Sequence, residues 1–204
     1  TSLVEVRPRD HRSHGLEWTT LADAVERGTD FVEQLTQTDR TRPPAEVAEL
    51  AREKVASAAS PCDAALAIAT AIGERIEYMP GVTGVHTTAA EAWEQKKGVC
   101  QDITHLAIGA LRSAGIPARY VSGYLHPVPD AEIGQTVAGE SHAWVEWFCG
   151  SGQGFDPTNL IDTGDRHVTV GRGRDYTDVA PLRGVYAGPF GSSLFVTVEI
   201  TRES

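Results

Sequence analysis

Apolar residues in the first half of the chain recur every three or four positions, which is typical of helices that bury one face. This spacing predicts helices over residues 45–60 and 63–72. The pattern is clearest over residues 100–114, and Gly115 marks the end of that helix. Residues 88–91 read Thr-Ala-Ala-Glu, the form of a capping box, and predict the start of a shorter helix just before it.

Beyond the long helix, apolar and polar residues alternate, which is typical of strands. The alternation predicts strands over residues 118–125, 141–149 and 194–201, and another that begins at 153–156. Residues 126–139 contain two prolines and two glycines and are predicted to form a loop. Because helices come first and antiparallel strands follow, the predicted fold class is α+β, with N-terminal helices packed on one face of an antiparallel β-sheet.

Composition changes this picture little but excludes some functions. The chain has 204 residues, of which 41% are hydrophobic and 23% are charged, so it can bury a core without help from metal or disulfides. Its net charge is −10, with acidic and basic residues mixed along the chain. A nucleic-acid binder or an anionic-membrane binder needs a basic face, so we expect neither partner. No apolar run approaches the length of a membrane span.

The three cysteines, Cys62, Cys100 and Cys149, are too far apart for a C-x-x-C metal or redox motif. An odd, low count suits a reducing compartment better than a disulfide framework, so we expect free thiols and a cytoplasmic location. Cys62 is predicted to be a structural or surface thiol and Cys149 a packing residue. The opening stretch is polar and carries no visible signal peptide, but it begins with Thr rather than Met, so an upstream segment stays open.

Cys100 is the strongest candidate for chemistry because it opens the long predicted helix. A thiol attacks a carbonyl only as the thiolate, and the N–H groups at a helix start favour an anion there. The same N–H groups could donate to the oxyanion of a tetrahedral intermediate. Burial as an apolar side chain is the more frequent fate of a free cysteine, and Cys62 also opens a predicted helix. Placement alone therefore leaves the role of Cys100 open.

A base and a group that orients it are available on the strands. His142 lies at the start of one predicted strand, and Asp156 follows fourteen residues later at the head of the next strand-like segment. Two antiparallel strands joined by a turn at residues 150–154 would bring the two side chains together, as a Cys-His-Asp triad requires. Taken alone, each residue more often has a structural role: His142 as a hydrogen-bonded strand-end histidine, and Asp156 as an Asx-turn residue before Pro157.

Several segments around these residues resemble one known family. The segments are 98–102 (Gly-Val-Cys-Gln-Asp), 114–124, 141–146 (Ser-His-Ala-Trp-Val-Glu), 155–159 (Phe-Asp-Pro-Thr-Asn) and 170–186. Together they resemble the bacterial branch of the transglutaminase-like superfamily, and the likeness extends from about residue 75 to the C-terminus. Three motifs in the family's order make this a specific match.

The resemblance implies a papain-like fold in which the nucleophile begins a helix packed on a β-sheet. It implies Cys100 as nucleophile, His142 as base and Asp156 as orienting acid, in acyl transfer from a peptide or protein amide through a thioester, without a cofactor. Water or an amine acceptor would resolve the thioester, and hydrolysis is favoured because many bacterial members are described as proposed cysteine proteases. We expect residues 41–204 to form the catalytic domain and residues 1–40 an N-terminal arm or the remnant of an upstream region.

Two other functions stay open at this point. The chain could be a binding module that keeps the fold without catalysis, although degenerate copies usually lose the cysteine or the histidine. The residues Cys100, His142 and Asp156 could also hold a metal, but no pair has the compact spacing of zinc ligands. We therefore expect no metal.

Three aromatic residues are candidates for substrate contact. Trp93 precedes the nucleophile by seven residues and could line the cleft or donate its N–H to an oxyanion, with core packing as the alternative. Tyr124 leads into the predicted loop of residues 126–139, which is long enough to be functional. Trp144 is two residues from His142 on the same strand, and at least one of Trp144 and Trp147 is expected in the core. The sequence leaves the oligomeric state and the natural substrate open.

Overall fold

The computed structural model describes residues 1–7, 16–180, 184, 187 and 196–203. Within them the helices come before the main sheet, as the spacing of apolar residues predicts. Short 3₁₀ turns lie at Thr29–Phe31 and Tyr176–Asp178. The α-helices are α1 (Trp18–Arg27), α2 (Val32–Leu35), α3 (Ala45–Ser57), α4 (Pro61–Gly73), α5 (Ala89–Gln95) and α6 (Cys100–Ser113).

The strands form one main sheet and one short parallel pair. They are β1 (Glu77–Tyr78), β2 (Lys97–Gly98), β3 (Ala118–Leu125), β4 (Thr136–Phe148), β5 (Gly152–Asp156), β6 (Ile161–Asp162), β7 (His167–Gly173) and β8 (Val198–Thr201). The main sheet has the order β6-β5-β4-β3-β7 and is antiparallel throughout, with β8 added beside the beginning of β4. β1 pairs with β2 in parallel.

Helix α6 lies at the centre of the molecule. Every residue from Gln101 to Arg112 is buried, and the helix contacts α3, α4 and α5 as well as β3 and β4. Close packing requires a glycine at one point, because a Cβ on Gly109 would lie 1.9 Å from the carbonyl oxygen of Thr41. The first residue of this helix, Cys100, is therefore attached to a buried helix while remaining partly exposed itself.

Strand β4 carries two sets of side chains on its two faces, as the period of a strand dictates. Ala143, Val145 and Trp147 join the hydrophobic core with the helices. His142 and Trp144 alternate with them and so belong to the opposite set. This alternation separates the residues of the strand that pack against the helices from those on its other face.

These observations confirm the predicted α+β class with helices packed on an antiparallel sheet. The predicted loop of residues 126–139 is shorter than expected, because residues 136–139 begin β4 and pair with β8. Helix α1 is not among the predicted helices, and its Leu21 is buried in the core. Of the predicted strand 194–201, residues 194 and 195 lie outside the described residues, as does part of the family-like segment 170–186.

One prediction about the cysteines is wrong. Cys62 and Cys149 are not free thiols but form a disulfide, with their Cα atoms 5.5 Å apart. The bond joins the start of α4 to the residue after β4. The two cysteines are separated by 87 residues in sequence, so only the tertiary fold brings them together. The count of cysteines therefore no longer supports a reducing compartment. Within the described ranges, no helix is both long and apolar enough to cross a membrane.

Candidate active site

Cys100 is the first residue of α6 and is partly exposed. The start of the helix is fixed by the buried Asp102, whose Oδ2 accepts the backbone N–H of Val99 at 2.8 Å and the hydroxyl of Thr83 at 2.6 Å. Gly98 is needed here because a Cβ would lie 2.8 Å from the Asp102 side chain. The N–H groups of Cys100 and Gln101 are in the first turn, where a helix offers them no backbone acceptor of its own.

His142 lies on β4 directly opposite Gly123 of β3. Its Nε2 is 2.7 Å from Oδ2 of Asp156, and its ring also forms a hydrogen bond with Cys100. Burial lowers the pKa of His142, but the hydrogen bonds with Asp156 and Cys100 outweigh it and raise the pKa to about 9. His142 therefore holds its proton at neutral pH, and an imidazolium beside a thiol stabilises the thiolate.

Asp156 is the last residue of β5 and is completely buried. Its Oδ1 accepts the backbone N–H groups of Thr158 at 2.9 Å and Asn159 at 3.2 Å. Its Oδ2 accepts the side-chain amide of Asn159 at 2.7 Å, in addition to His142, and lies 3.4 Å from Nε2 of His167. Burial raises the pKa of Asp156, but these hydrogen bonds hold it well below its usual range. Asp156 is thus a buried, ionised hydrogen-bond acceptor.

The structure brings Cys100, His142 and Asp156 together in one chain of hydrogen bonds. Two further residues contact Asp156 without being among the predicted site residues: Asn159, which occurs in the family-like segment 155–159, and His167. The signal for Asn159 was its place three residues after an aspartate, where its amide can reach back to the carboxylate. For His167 the only signal in the sequence is a histidine at the start of an alternating segment. Its contact with Asp156 depends on the pairing of β7 with β3.

The three candidate substrate contacts differ in exposure. Trp93 is 8% exposed and donates its N–H to Oε2 of Glu46 at 2.9 Å, so in this structure its N–H is committed to a carboxylate. Trp144 is 1% exposed and packs near the rings of His142 and His167, at centroid distances of 6.3 and 5.1 Å. Tyr124 is half-buried. Of these aromatic side chains, Tyr124 retains the most surface for a ligand, and Trp144 instead contacts the histidines.

The loop between β1 and α5 borders the nucleophile. Its Thr83 bonds Asp102, as described above, and the carbonyl of Gly84 accepts from the side chain of Gln101 at 3.5 Å. Tyr78, just before the loop, has a raised pKa, caused first by burial and then by the nearby negative charges of Cys100 and Glu140. The exposed side chains Val82 and Val85 give this border an apolar surface.

Another buried histidine serves the core. His105 accepts the backbone N–H of Tyr176 at its Nε2, 3.1 Å away, and burial lowers its pKa to about 3. It is therefore neutral and ties α6 to the turn at Tyr176–Asp178. Among the residues that the structure describes, no group of three or more histidine, cysteine or acidic side chains is arranged to hold a metal ion.

Comparison with known proteins identifies relatives in mycobacteria. An uncharacterised protein of Mycobacterium leprae is 43% identical over 204 residues, covering 99% of this chain and 72% of the relative. Uncharacterised proteins of Mycobacterium bovis and Mycobacterium tuberculosis are 35% identical over 176 residues, covering 77% of this chain. The chain spans only 54% of the length of these last two.

A solved structure and a family profile also match this chain. The structure of a proposed cysteine protease from Cytophaga hutchinsonii matches with a TM-score of 0.71 and 25% identity, covering 89% of this chain and 59% of that one. The profile of the transglutaminase-like superfamily matches residues 48–158, a range that contains Cys100, His142 and Asp156. With the fold, the ordered motifs and this match in agreement, the chain belongs to the transglutaminase-like superfamily.

Proposed function

We propose that this protein is a thiol enzyme that transfers acyl groups from amide or peptide bonds, with Cys100 as nucleophile, His142 as base and Asp156 as orienting acid. One observation carries the proposal. His142 bonds a buried carboxylate through Nε2, at 2.7 Å, while its ring also bonds the cysteine that begins α6. A nucleophile, a base and a group that fixes the base are the requirements of covalent catalysis at a carbonyl.

The first half of the proposed reaction forms a thioester. His142 holds the thiol proton, and the Cys100 sulfur attacks the carbonyl carbon, so that a C–S bond forms and the carbonyl oxygen becomes an oxyanion. The N–H groups of Cys100 and Gln101 are suited to donate to that oxygen. When the intermediate collapses, the C–N bond breaks, and the leaving amine takes the proton from His142.

The second half releases the acyl group. A water molecule, or an amine in its place, gives a proton to His142 and attacks the thioester carbon. The C–S bond then breaks, and Cys100 departs as the thiolate beside the reprotonated His142. Asp156 stays ionised throughout, because its hydrogen bonds hold its pKa below the usual range. It keeps Nε2 of His142 occupied, which leaves Nδ1 for the proton transfers.

We favour water over an amine as the acceptor, and a peptide or protein as the substrate. The support is the likeness to the C. hutchinsonii structure, which is described as a proposed cysteine protease. The apolar border at Val82 and Val85 is suited to apolar side chains of such a substrate. Incubation of a peptide library with and without a primary amine, followed by mass spectrometry, separates hydrolysis from transfer. Products that gain the amine rather than water would reverse this preference.

The test of the nucleophile is labelling with iodoacetamide at pH 6. Free cysteine is almost entirely protonated at this pH, so Cys100 should label at least about ten times faster than N-acetylcysteine. The variant His142→Ala should lose that advantage, and Cys100→Ser should not label. If wild-type Cys100 labels no faster than N-acetylcysteine, the chain is better explained as a binding module that retains the fold.

We also propose an oxidising compartment, rather than the cytoplasm, as the place of action. The support is the disulfide between Cys62 and Cys149, since such bonds persist in oxidising compartments and are rare in cytosolic proteins. Protein taken from its host with thiols blocked at lysis should be lighter than the reduced form by two hydrogen atoms. Blocked thiols at both positions would contradict this location.

A further inference from the structure

His167 makes a contact with the site that the proposed reaction has not yet used. It is the first residue of β7, is 5% exposed, and places Nε2 3.4 Å from Oδ2 of Asp156. Its other ring nitrogen, Nδ1, accepts the backbone N–H of Gly164 at 3.2 Å. Because an N–H occupies Nδ1, that nitrogen carries a lone pair, and the ring proton must be on Nε2. His167 therefore donates its N–H to Asp156.

Packing holds the ring of His167 in this position. The indole of Trp144 meets it edge to face, with ring centroids 5.1 Å apart. Trp144 fits there only because the neighbouring strand carries a glycine. A Cβ on Gly123 would lie 2.6 Å from the Trp144 ring and 2.2 Å from the carbonyl oxygen of Val168. Gly123 is also the residue opposite His142 in the sheet.

We infer that His167 is a positioning residue for acyl transfer, acting through Asp156 on His142. The inference rests on the proposed function, since it assumes that His142 is the base. His142 and His167 bond the same carboxylate oxygen, so a restraint on that oxygen is a restraint on the base. Each group that contacts Asp156 can donate a hydrogen bond to it, and for His167 the bond from Gly164 to Nδ1 fixes the proton on Nε2. The bond from His167 stabilises the ionised form of Asp156. An ionised Asp156 can only accept, so Nε2 of His142 is the donor in the bond between them.

The experiment compares His167→Gln with His167→Asn. The amide nitrogen of glutamine occupies roughly the place of Nε2 and can still donate to Asp156. The side chain of asparagine is one methylene shorter, so its amide nitrogen does not reach Asp156. Iodoacetamide labelling of Cys100 at pH 6 should stay within about twofold of wild type in His167→Gln and fall about tenfold in His167→Asn, the effect of losing a hydrogen bond to a charged group.

A second readout reports the base itself. Solvent exchange of the His142 Nε2 proton, followed by ¹⁵N-edited NMR, should be several times faster in His167→Asn and unchanged in His167→Gln. The matched control is His126→Asn, which replaces a histidine that is 7% exposed and bonds the backbone of Val128 rather than Asp156. It should change neither labelling nor proton exchange, even if it lowers thermal stability.

The outcomes separate this inference from the proposed function. If wild-type Cys100 labels no faster than N-acetylcysteine, the proposed function fails, whatever the His167 variants do. If wild type labels fast and both His167 variants keep its labelling rate and proton exchange, His167 only packs and the inference fails. If His167→Asn does not fold, the comparison is made between His167→Gln, which keeps the donor, and His167→Phe, which removes it. Equal labelling rates in these two folded variants would also overturn the inference.

Discussion

Two cysteines of this protein begin a helix, and they have different fates. Cys100 is the first residue of α6 and faces His142, whereas Cys62 is the second residue of α4 and is bonded to Cys149. Both have the N–H groups and the dipole of a helix start beside them. Only Cys100 also has an imidazole held by a buried carboxylate. The difference teaches that a helix start is shared by a structural cysteine and a candidate nucleophile, and that the base distinguishes them.

The surroundings of Cys62 even oppose an anion. Its helix is capped by Ser60, which accepts the backbone N–H of Asp63 and donates its hydroxyl to the Asp63 carboxylate at 2.7 Å. That carboxylate already satisfies the positive end of the helix, so a thiolate there would meet a neighbouring negative charge. At α6 the corresponding carboxylate, Asp102, is buried and satisfies Val99 and Thr83. There the compensating positive charge comes from His142.

The largest expected effect comes from removing the charge that sustains His142. Asp156→Asn keeps the shape of the side chain but takes away the carboxylate that raises the pKa of His142. With less imidazolium, the Cys100 thiolate loses its partner, so labelling by iodoacetamide at pH 6 should fall about ten- to a hundredfold. Stopped labelling time courses, read by intact mass, measure the rate.

The matched control for this change is Asp175→Asn. Asp175 is also buried and accepts the backbone N–H of a residue two positions on, Thr177, at 2.7 Å. This local turn is the structural alternative that the sequence left open for Asp156. Asp175→Asn should leave the labelling rate of Cys100 within about twofold of wild type. Asp175 is not among the groups that shift the pKa of His142, so removing its charge leaves the His142 imidazolium in place. Equal rates in both variants would mean that Asp156 is only a turn residue.

Much of the fold follows from local patterns, but the disulfide and His167 do not. The spacing of apolar residues predicts α6 and the alternation predicts β3, because each pattern reflects one face against one core. Cys62 and Cys149 are 87 residues apart in sequence and are brought together by the tertiary fold, and no local pattern contains that information. His167 reaches Asp156 through strand pairing that the sequence does not specify.

The catalytic candidates show the same limit. Helix placement indicates Cys100 and Cys62 alike, and only the ordered motifs around His142 and Asp156 distinguish the two cysteines. The structure adds the distances between these residues. It also adds Asn159, whose side-chain amide donates to the Asp156 carboxylate at 2.7 Å and which is not among the predicted site residues.

The next largest effect is expected from removing the disulfide between Cys62 and Cys149. The double variant Cys62→Ala/Cys149→Ala should lower the free energy of unfolding by about 2–4 kcal/mol, since the bond closes a long loop of the unfolded chain. Urea unfolding followed by circular dichroism measures this loss. Labelling of Cys100 at pH 6 should stay at the wild-type rate, because neither cysteine contacts His142 among the contacts described. Faster or slower labelling would show that the two cysteine sites are coupled.

The smallest effect isolates what a helix start contributes without a base. In Cys100→Ala/Cys149→Ala, Cys62 becomes the lone thiol at the start of α4. A helix N-terminus stabilises an anion by about 0.3–1 kcal/mol, which is about a two- to fivefold change in the thiolate fraction. The ratio of its labelling rates at pH 6 and pH 9 removes differences in access to the reagent. That ratio should stay within about fivefold of the ratio for N-acetylcysteine. The negative charge of Asp63 in the same helical turn should make the difference smaller still. If instead Cys62 matched Cys100 in this ratio, a helix start alone would account for the reactivity of both, and His142 would have no part in activating the nucleophile.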